Sequence, residues 1–371
     1  MRVLVTSCPA TSHFYPLVPF ALALRRAGHR VLVATGGGFA ARAAATGLDV
    51  FPVGGDVDLM SVAPPRPRPG AAPDQAGWGR MLALAERTAP DLVRLARDWR
   101  PDLLVRTPTE FAGPIVAEQL GIPVIEHSFG LPMPRERLRA ADELLEPLYR
   151  RFGVRPRLCD PAWVLDVCPP SFRPAGVIAG TAMRYVPFHG PEPSGPGRLE
   201  DVDLCLTLGT ILPALGHTAV VAPVVEAAAD LGLRTLVLGA ATPDSPGVTS
   251  ARWLPLGEVL PRCRVLAHHA GSGTTFAALA AGVPQLAMPH MTDQPDNAAR
   301  IEATGVGRQL APERIDREQA RTALAALVAE GPERAAARAL SAEIGAQPSP
   351  DEVVASIGSL TATPPPGQAP A

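Results

Sequence analysis

Two histidines precede a run of small residues, His-His-Ala-Gly-Ser-Gly-Thr-Thr-Phe-Ala, at 268 to 277. A third, His13, lies in the segment CPATSHFYP near the start of the chain. The first arrangement has the outline of an anion site. CRVLAHH reads as a strand and TTFAALAAG as a helix, so Gly273, Thr274 and Thr275 open that helix, where the first amides have no intrahelical acceptor and carry its positive end. Gly271 and Gly273 allow a ligand close to the backbone, and His269 adds a donor. His13 is a different tool. An imidazole at the start of a helix is biased toward its neutral, proton-accepting form, which a general base near pH 7 requires. TLGT, ending at Thr210, and GHTA at 216–219 follow the first strand of the second half and are placed to border the same anion.

Composition removes several other chemistries. The chain has 371 residues with 34 basic and 36 acidic groups, and every basic residue is arginine. A Schiff-base lysine and a P-loop lysine are therefore out. A net charge of −2 without a basic run leaves no footprint for nucleic acid or an anionic membrane. The five cysteines, Cys8, Cys159, Cys168, Cys205 and Cys263, are odd in number and never spaced as CxxC, so neither a disulfide framework nor a zinc site is expected and a reducing cytoplasm fits. Asp-Val-Asp occurs at 56–58 and 201–203, but the first copy lies in a Gly- and Pro-rich loop and the second leads out of a linker, so no metal is expected. The apolar stretch from Phe14 to Leu24 is interrupted by Pro16 and Pro19 and is followed by no small-residue cleavage site, so a signal peptide is not expected, and no run reaches the length of a membrane span.

Something must hold these residues, and the pattern around them is α/β. RVLVTSC, RVLVAT, DLLVRT and IPVIEHS are short apolar runs alternating with helical segments such as PLVPFALALRRAG, GGGFAARAAATG and EFAGPIVAEQLG. That alternation implies a parallel sheet covered on both faces. It breaks at PFHGPEPSGPGRLED, 187–201, and restarts with VDLCLTLGT, VVAPVVEAAADLG, RTLVLGA, CRVLAHH and VPQLAMP. Two doubly wound halves facing across a cleft are expected, with ligands outside the carboxyl ends of the strands. The boundaries are 1–190 for the first half, 200–345 for the second, and 346–371 for a terminal segment that ends in a disordered tail, TATPPPGQAPA. Residues 54–79 are too proline-rich for regular structure, and 130–160 carry helical signals without a strand; each is either a variable pocket lining or plain surface and packing.

From Trp253 onward the sequence WLPLGEVLPRCRVLAHHAGSGTTFAALAAGVPQLAMPHMTDQPDNA resembles the donor-sugar signature of the family 1, GT-B-fold glycosyltransferases, and most closely the actinobacterial enzymes that attach deoxysugars to antibiotics. The resemblance implies an aromatic stacked on the nucleobase at Trp253 beside Leu254, and diphosphate contacts from His269, Gly271, Ser272, Gly273 and Thr274, with Thr210 bordering. It implies donor-sugar contacts from Asp293 and Gln294, and Asn297 completes the pattern. It also implies that the first half, 1–190, binds an acceptor and the second, 200–345, a nucleotide-sugar donor, and that a helix in the terminal segment, 346–371, returns to the first. Where the plant-type signature carries a ribose-binding glutamate, this chain has Ala277. A methyl group cannot satisfy a 2'-hydroxyl, so a 2'-deoxy donor, a dTDP-sugar, is favoured as co-substrate. The resemblance further implies that His13 deprotonates an acceptor hydroxyl, with Ser12 replacing the usual glycine before it. Relatives often place an aspartate at the end of the DLLVR strand to orient that histidine; here Thr107 stands there, and Glu110 either takes the role or is a helix-start charge.

The expected activity is therefore inverting transfer of a sugar from a nucleoside diphosphate to a hydrophobic small-molecule acceptor, with no metal or other cofactor. A nucleotide-sugar epimerase on the same scaffold and a non-catalytic sugar-nucleotide-binding partner protein are the alternatives. A homodimer is left open, as are the acceptor, the sugar, and O- against C-linkage.

Overall fold

The computed structural model describes residues 1–62, 73–155, 161–177, 179–190, 202–242 and 246–360. The chain divides into two compact units, one of Met1–Val167, Gly176–Arg184 and Pro348–Ala371, the other of Cys168–Ala175 and Tyr185–Gln347. The tail read as disordered, linker residues 191–201 and the proline-rich residues 63–72 lie outside the described residues.

In the first unit seven strands, β1 (Arg2–Thr6), β2 (Arg30–Gly36), β3 (Asp49–Val53), β4 (Leu103–Arg106), β5 (Val124–His127), β6 (Trp163–Asp166) and β7 (Thr181–Ala182), form one sheet in the order β3-β2-β1-β4-β5-β6-β7. All pairings are parallel. Val3, Leu4, Val5, Leu103 and Leu104 are inaccessible, as the central strands of a sheet covered on both faces must be. The helices are α1 (Thr11–Phe14), α2 (Val18–Arg26), α3 (Gly37–Ala44), α4 (Pro73–Trp99), α5 (Gly113–Leu120) and α6 (Arg135–Arg151).

Two sequence expectations change here. Residues 54–79 are not irregular throughout, because α4 starts within them at Pro73; proline suits a first helical turn, where its missing N–H has no acceptor to lose. Residues 130–160 supply a packing helix: α6 buries Leu138, Ala141, Leu145, Leu148 and Tyr149, and packs against α4.

The second unit has six parallel strands, β8 (Val202–Thr207), β9 (Thr235–Leu238), β10 (Val248–Ala251), β11 (Cys263–His268), β12 (Gln285–Ala287) and β13 (Gly307–Gln309), in the order β10-β9-β8-β11-β12-β13. Its helices are α7 (Ile211–Ala214), α8 (Val221–Asp230), α9 (Leu256–Val259), α10 (Ser272–Ala281), α11 (Gln294–Ala303), α12 (Arg317–Val328) and α13 (Pro332–Ala346). The last helix, α14 (Pro350–Leu360), belongs to the first unit and packs on α2. Buried Val353, Val354 and Ile357 make that contact apolar, and Arg26 adds a two-point pair to Asp351 at its rim.

In each sheet the strand order reverses at one place, between β1 and β4 in the first and between β8 and β11 in the second. The loops leaving the carboxyl ends of those strands diverge there and leave room for a ligand. His13 and the 268–275 turn each follow a strand at such a point.

Candidate active site

β11 ends at His268, opposite Thr207 of β8. The chain then turns into α10 with Gly271 as the N-cap residue. Thr275 donates its N–H to the Gly271 carbonyl at 2.9 Å, and the Ser272 N–H goes to Asp293 Oδ2 at 3.3 Å. The amides of Gly271, Gly273 and Thr274 are left without an acceptor among the described residues. Thr275 is thus removed from the set of open amides read from the sequence, because its own helix has already used it.

The His269 ring lies in a slot made by two glycines. A Cβ on Gly271 would come within 2.4 Å of its Nε2, and one on Gly209, whose φ is +69°, within 2.8 Å of its Cε1. Burial pushes the His269 pKa down to about 4, against an opposing pull from Asp293. At neutral pH it is an uncharged ring and not a cation, its one N–H drawn to the Thr207 carbonyl.

Asp293 and Gln294 are engaged within the protein. Asp293 Oδ2 accepts from Ser272 Oγ at 2.6 Å and Asn297 Nδ2 at 3.1 Å. Gln294 Oε1 accepts from the N–H groups of His290 and Met291 at 2.8 and 3.1 Å. Trp253 follows β10 and is 41% exposed, open enough to stack on a planar ligand. Leu254 is half-buried against the apolar cluster of Val259 and Leu266, and Thr210 is exposed at the N-cap of α7. His217, within the GHTA stretch, and His290, which is given no role in the sequence reading, stack edge to face at 5.7 Å.

His13 lies in α1, the first turn of a helical run that continues through a 3-10 turn at Tyr15–Leu17 into α2. Its Nδ1 is 3.1 Å from Thr109 Oγ1, and its ring meets Phe129 edge to face at 5.1 Å. Thr109 comes from the loop after β4 and Phe129 from the loop after β5, so three strand ends converge on one imidazole.

Glu110 is elsewhere. Its carboxylate accepts from Thr6 Oγ1 at 2.6 Å and from the N–H groups of Ala112 and Gly113 at 2.8 and 2.9 Å. It is the helix-start charge of α5, its pKa raised by burial although those donors oppose the shift. The hydroxyl beside His13 is that of Thr109, which nothing in TPTE distinguishes from Thr107 until the loop is folded.

Under that loop lies Arg106, 1% exposed. It donates to the carbonyls of Thr107 and Pro108 at 3.0 and 3.2 Å and to Glu126 Oε2 at 2.7 Å. Cys8 Sγ reaches the Thr109 carbonyl at 3.4 Å. Of the two Asp-Val-Asp copies, Asp58 Oδ1 accepts from the N–H groups of Met60 and Ser61, and Asp203 pairs with Arg234 and Arg264. Asp201 lies outside the described residues.

Comparison with known proteins gives this geometry a class. Family models described as Erythromycin biosynthesis protein CIII-like match residues 22–72 and 75–196 with the N-terminal domain and 226–360 with the C-terminal domain. L-demethylnoviosyl transferase of Streptomyces niveus is 37% identical, over 94% of this chain and 96% of its own length. Elloramycin glycosyltransferase ElmGT of Streptomyces olivaceus is 34% identical, over 96% and 97%. Among solved structures, glycosyltransferase SsfS6 of Streptomyces sp. SF2575 complexed with thymidine diphosphate superposes with a TM-score of 0.78 at 31% identity, covering 97% of this chain and 99% of that one. Spinosyn forosaminyltransferase SpnP gives 0.83 at 28%, covering 98% and 100%.

The molecule is a glycosyltransferase of the GT-B fold. It belongs to the Erythromycin biosynthesis protein CIII-like family. No helix among its described residues is long and apolar enough to cross a membrane.

Proposed function

We propose that this enzyme transfers a deoxysugar from a dTDP-linked donor to a hydroxyl of an antibiotic-type aglycone, inverting the anomeric centre. The observation that carries the donor assignment is the open set of amides at Gly271, Gly273 and Thr274, at the strand-order reversal of the second sheet and in the same unit as exposed Trp253. A diphosphate takes those N–H groups, and the base stacks on Trp253. Ala277 is fully buried in the core of this unit, so α10 presents no carboxylate for a ribose 2'-hydroxyl. The thymidine diphosphate in the SsfS6 structure agrees with a deoxynucleotide, and the sugar transferases among the relatives agree with the acceptor class.

His13 is the base. With its Nδ1–H donated to Thr109 Oγ1, the Nε2 lone pair takes the acceptor's proton. The resulting alkoxide forms a bond to the anomeric carbon as the bond from that carbon to the diphosphate oxygen breaks. The departing dTDP, which carries three negative charges once that bond breaks, is then held by amides already aimed at it, which costs no reorganisation during the reaction. Thermal stabilisation by dTDP and UDP, followed by a dTDP-release assay with and without a phenolic or alcoholic acceptor, tests this reading. We expect stabilisation by dTDP above that by UDP, and acceptor-dependent release. Equal stabilisation by the two would remove the deoxy preference, and absence of stabilisation by either would remove the donor site.

A further inference from the structure

We infer that the donor turn is a strained backbone held in its ligand-ready shape by a clamp of two buried side chains, His268 and Asn297, acting on Ala270. The inference rests on the donor reading above and adds two positioning residues to it.

Among the described residues only Arg100, Ala270 and Thr292 are non-glycine residues with positive φ, at +53°, +61° and +55°. A side chain disfavours that region, and residues kept there against the preference gather where a fixed shape is used. Ala270 and Thr292 belong to one network. The Ala270 N–H donates to His268 Nδ1 at 3.1 Å, and its carbonyl accepts from Asn297 Nδ2 at 2.9 Å. Both polar groups of the strained residue are thus held by side chains.

The His268 tautomer follows from its partners. Nδ1 receives an N–H and must be unprotonated, so the ring proton is on Nε2, which donates to Gln285 Oε1 of β12 at 2.9 Å. Burial keeps this ring neutral, with its pKa down at about 3. Asn297 Nδ2 also reaches Ser272 Oγ at 3.1 Å, and Thr292 Oγ1 donates to Asp293 Oδ1 at 2.9 Å. The residues on either side of Gly271 are therefore tied down, while the amides of Gly271, Gly273 and Thr274 stay open. If Ala270 relaxed to negative φ, the peptide that carries the Gly271 amide would turn, and the set of donors would no longer converge.

The test is dTDP titration by calorimetry with the full-length enzyme, its His268→Gln variant, and the His268→Gln, Ala270→Gly double variant. Glutamine carries its amide at the reach of Nε2 and has carbon in the place of Nδ1, so the acceptor facing the Ala270 N–H is lost while a donor toward Gln285 is kept. Glycine tolerates positive φ without a clamp. We expect His268→Gln to weaken dTDP binding at least tenfold and to raise the donor KM while leaving the acceptor KM unchanged. Ala270→Gly in that background should recover at least a third of the lost factor on a logarithmic scale, which a purely structural defect at a buried ring would not do. Binding by His268→Gln within twofold of the parent, or no recovery with glycine, overturns the clamp. Failure of the parent enzyme to bind dTDP strikes the donor reading instead, and the two failures are distinct. If His268→Gln does not fold, Asn297→Ala and its Ala270→Gly double variant are read against the same limits.

Discussion

The two strand-order reversals share a topology and solve their chemistry with opposite materials. At β1/β4 the working group of the proposed reaction is a side chain, His13, and its setting is built from other side chains: Thr109 beside it, Phe129 at its edge, and Arg106 bonded to Glu126 beneath the loop. At β8/β11 the proposed working groups are backbone amides, and the setting is glycine, positive φ and neutral buried imidazole. A proton acceptor needs one lone pair with a defined direction, which a side chain supplies. A diphosphate spreads charge over many oxygens, and closely spaced amides match it better.

That contrast can be broken most forcefully at His13. His13→Ala should lower the transfer rate by about a hundredfold to ten-thousandfold, while calorimetric dTDP affinity stays as in the parent. A parallel loss of dTDP affinity would mean that the side-chain site and the amide site are not separable.

Arg106→Met takes from buried Glu126 its hydrogen-bonded cation and leaves only the pull of Arg135, so a loss of up to about 3–5 kcal/mol in stability is expected from denaturant unfolding. Stability within 1 kcal/mol of the parent, a bound set by that range, would show that the ion pair is not what holds the β4 loop. On the other side, Trp253→Ala should weaken dTDP binding by about 1–3 kcal/mol, the range for loss of base–aromatic stacking. An unchanged Kd would place the base elsewhere.

The imidazoles of the donor turn predict a pH dependence. An unfolded histidine protonates near pH 6.5, whereas folded His268 does so at about 3. Between those values the unfolded chain holds the extra proton, so stability is full above about 6.5 and falls with acid, by up to about 1.4 kcal/mol per pH unit for this ring. Unfolding at pH 7, 6 and 5 should show a steeper loss in the parent than in His268→Gln, and equal slopes would mean that the ring is already charged. The smallest effect belongs to Thr109→Val, which removes a neutral hydrogen bond of about 0.5–1.5 kcal/mol. It should lower kcat about threefold to tenfold and shift the acid limb of the kcat profile. No shift in that limb would make Thr109 a packing residue.

The same contrast explains what could be read before folding. The turn of open amides was legible in part, because small residues at close spacing mark it: Gly273 and Thr274 are read from one stretch, while the reading includes Thr275, which its own helix uses, and misses the amide of Gly271. Long apolar runs such as Arg2–Thr6 and Val202–Thr207 likewise announced the central strands. The sheet edges did not: β3 contains Pro52, β7 has two residues, and β10 is half exposed, so none carries a continuous apolar signal. The partner of His13 was hidden for a related reason. Thr109 and Glu110 are adjacent in sequence, and only the path of the β4 loop decides that the carboxylate caps α5 while the hydroxyl turns to the imidazole. Ala270 carried no signal at all, since its φ is imposed by residues 2 and 27 positions away.

The helix α14 packs on α2, although nearly the whole chain separates them. On a ribosome the first unit therefore begins to form before the second yet waits for residues 350–360, which emerge after the whole of the second, before its outer layer is covered. The second unit starts later and has all of its residues, through Gln347, sooner. Until then the nascent chain carries an apolar stripe of α2 without its lid, a target for chaperones throughout elongation and for proteases in any product that stops short.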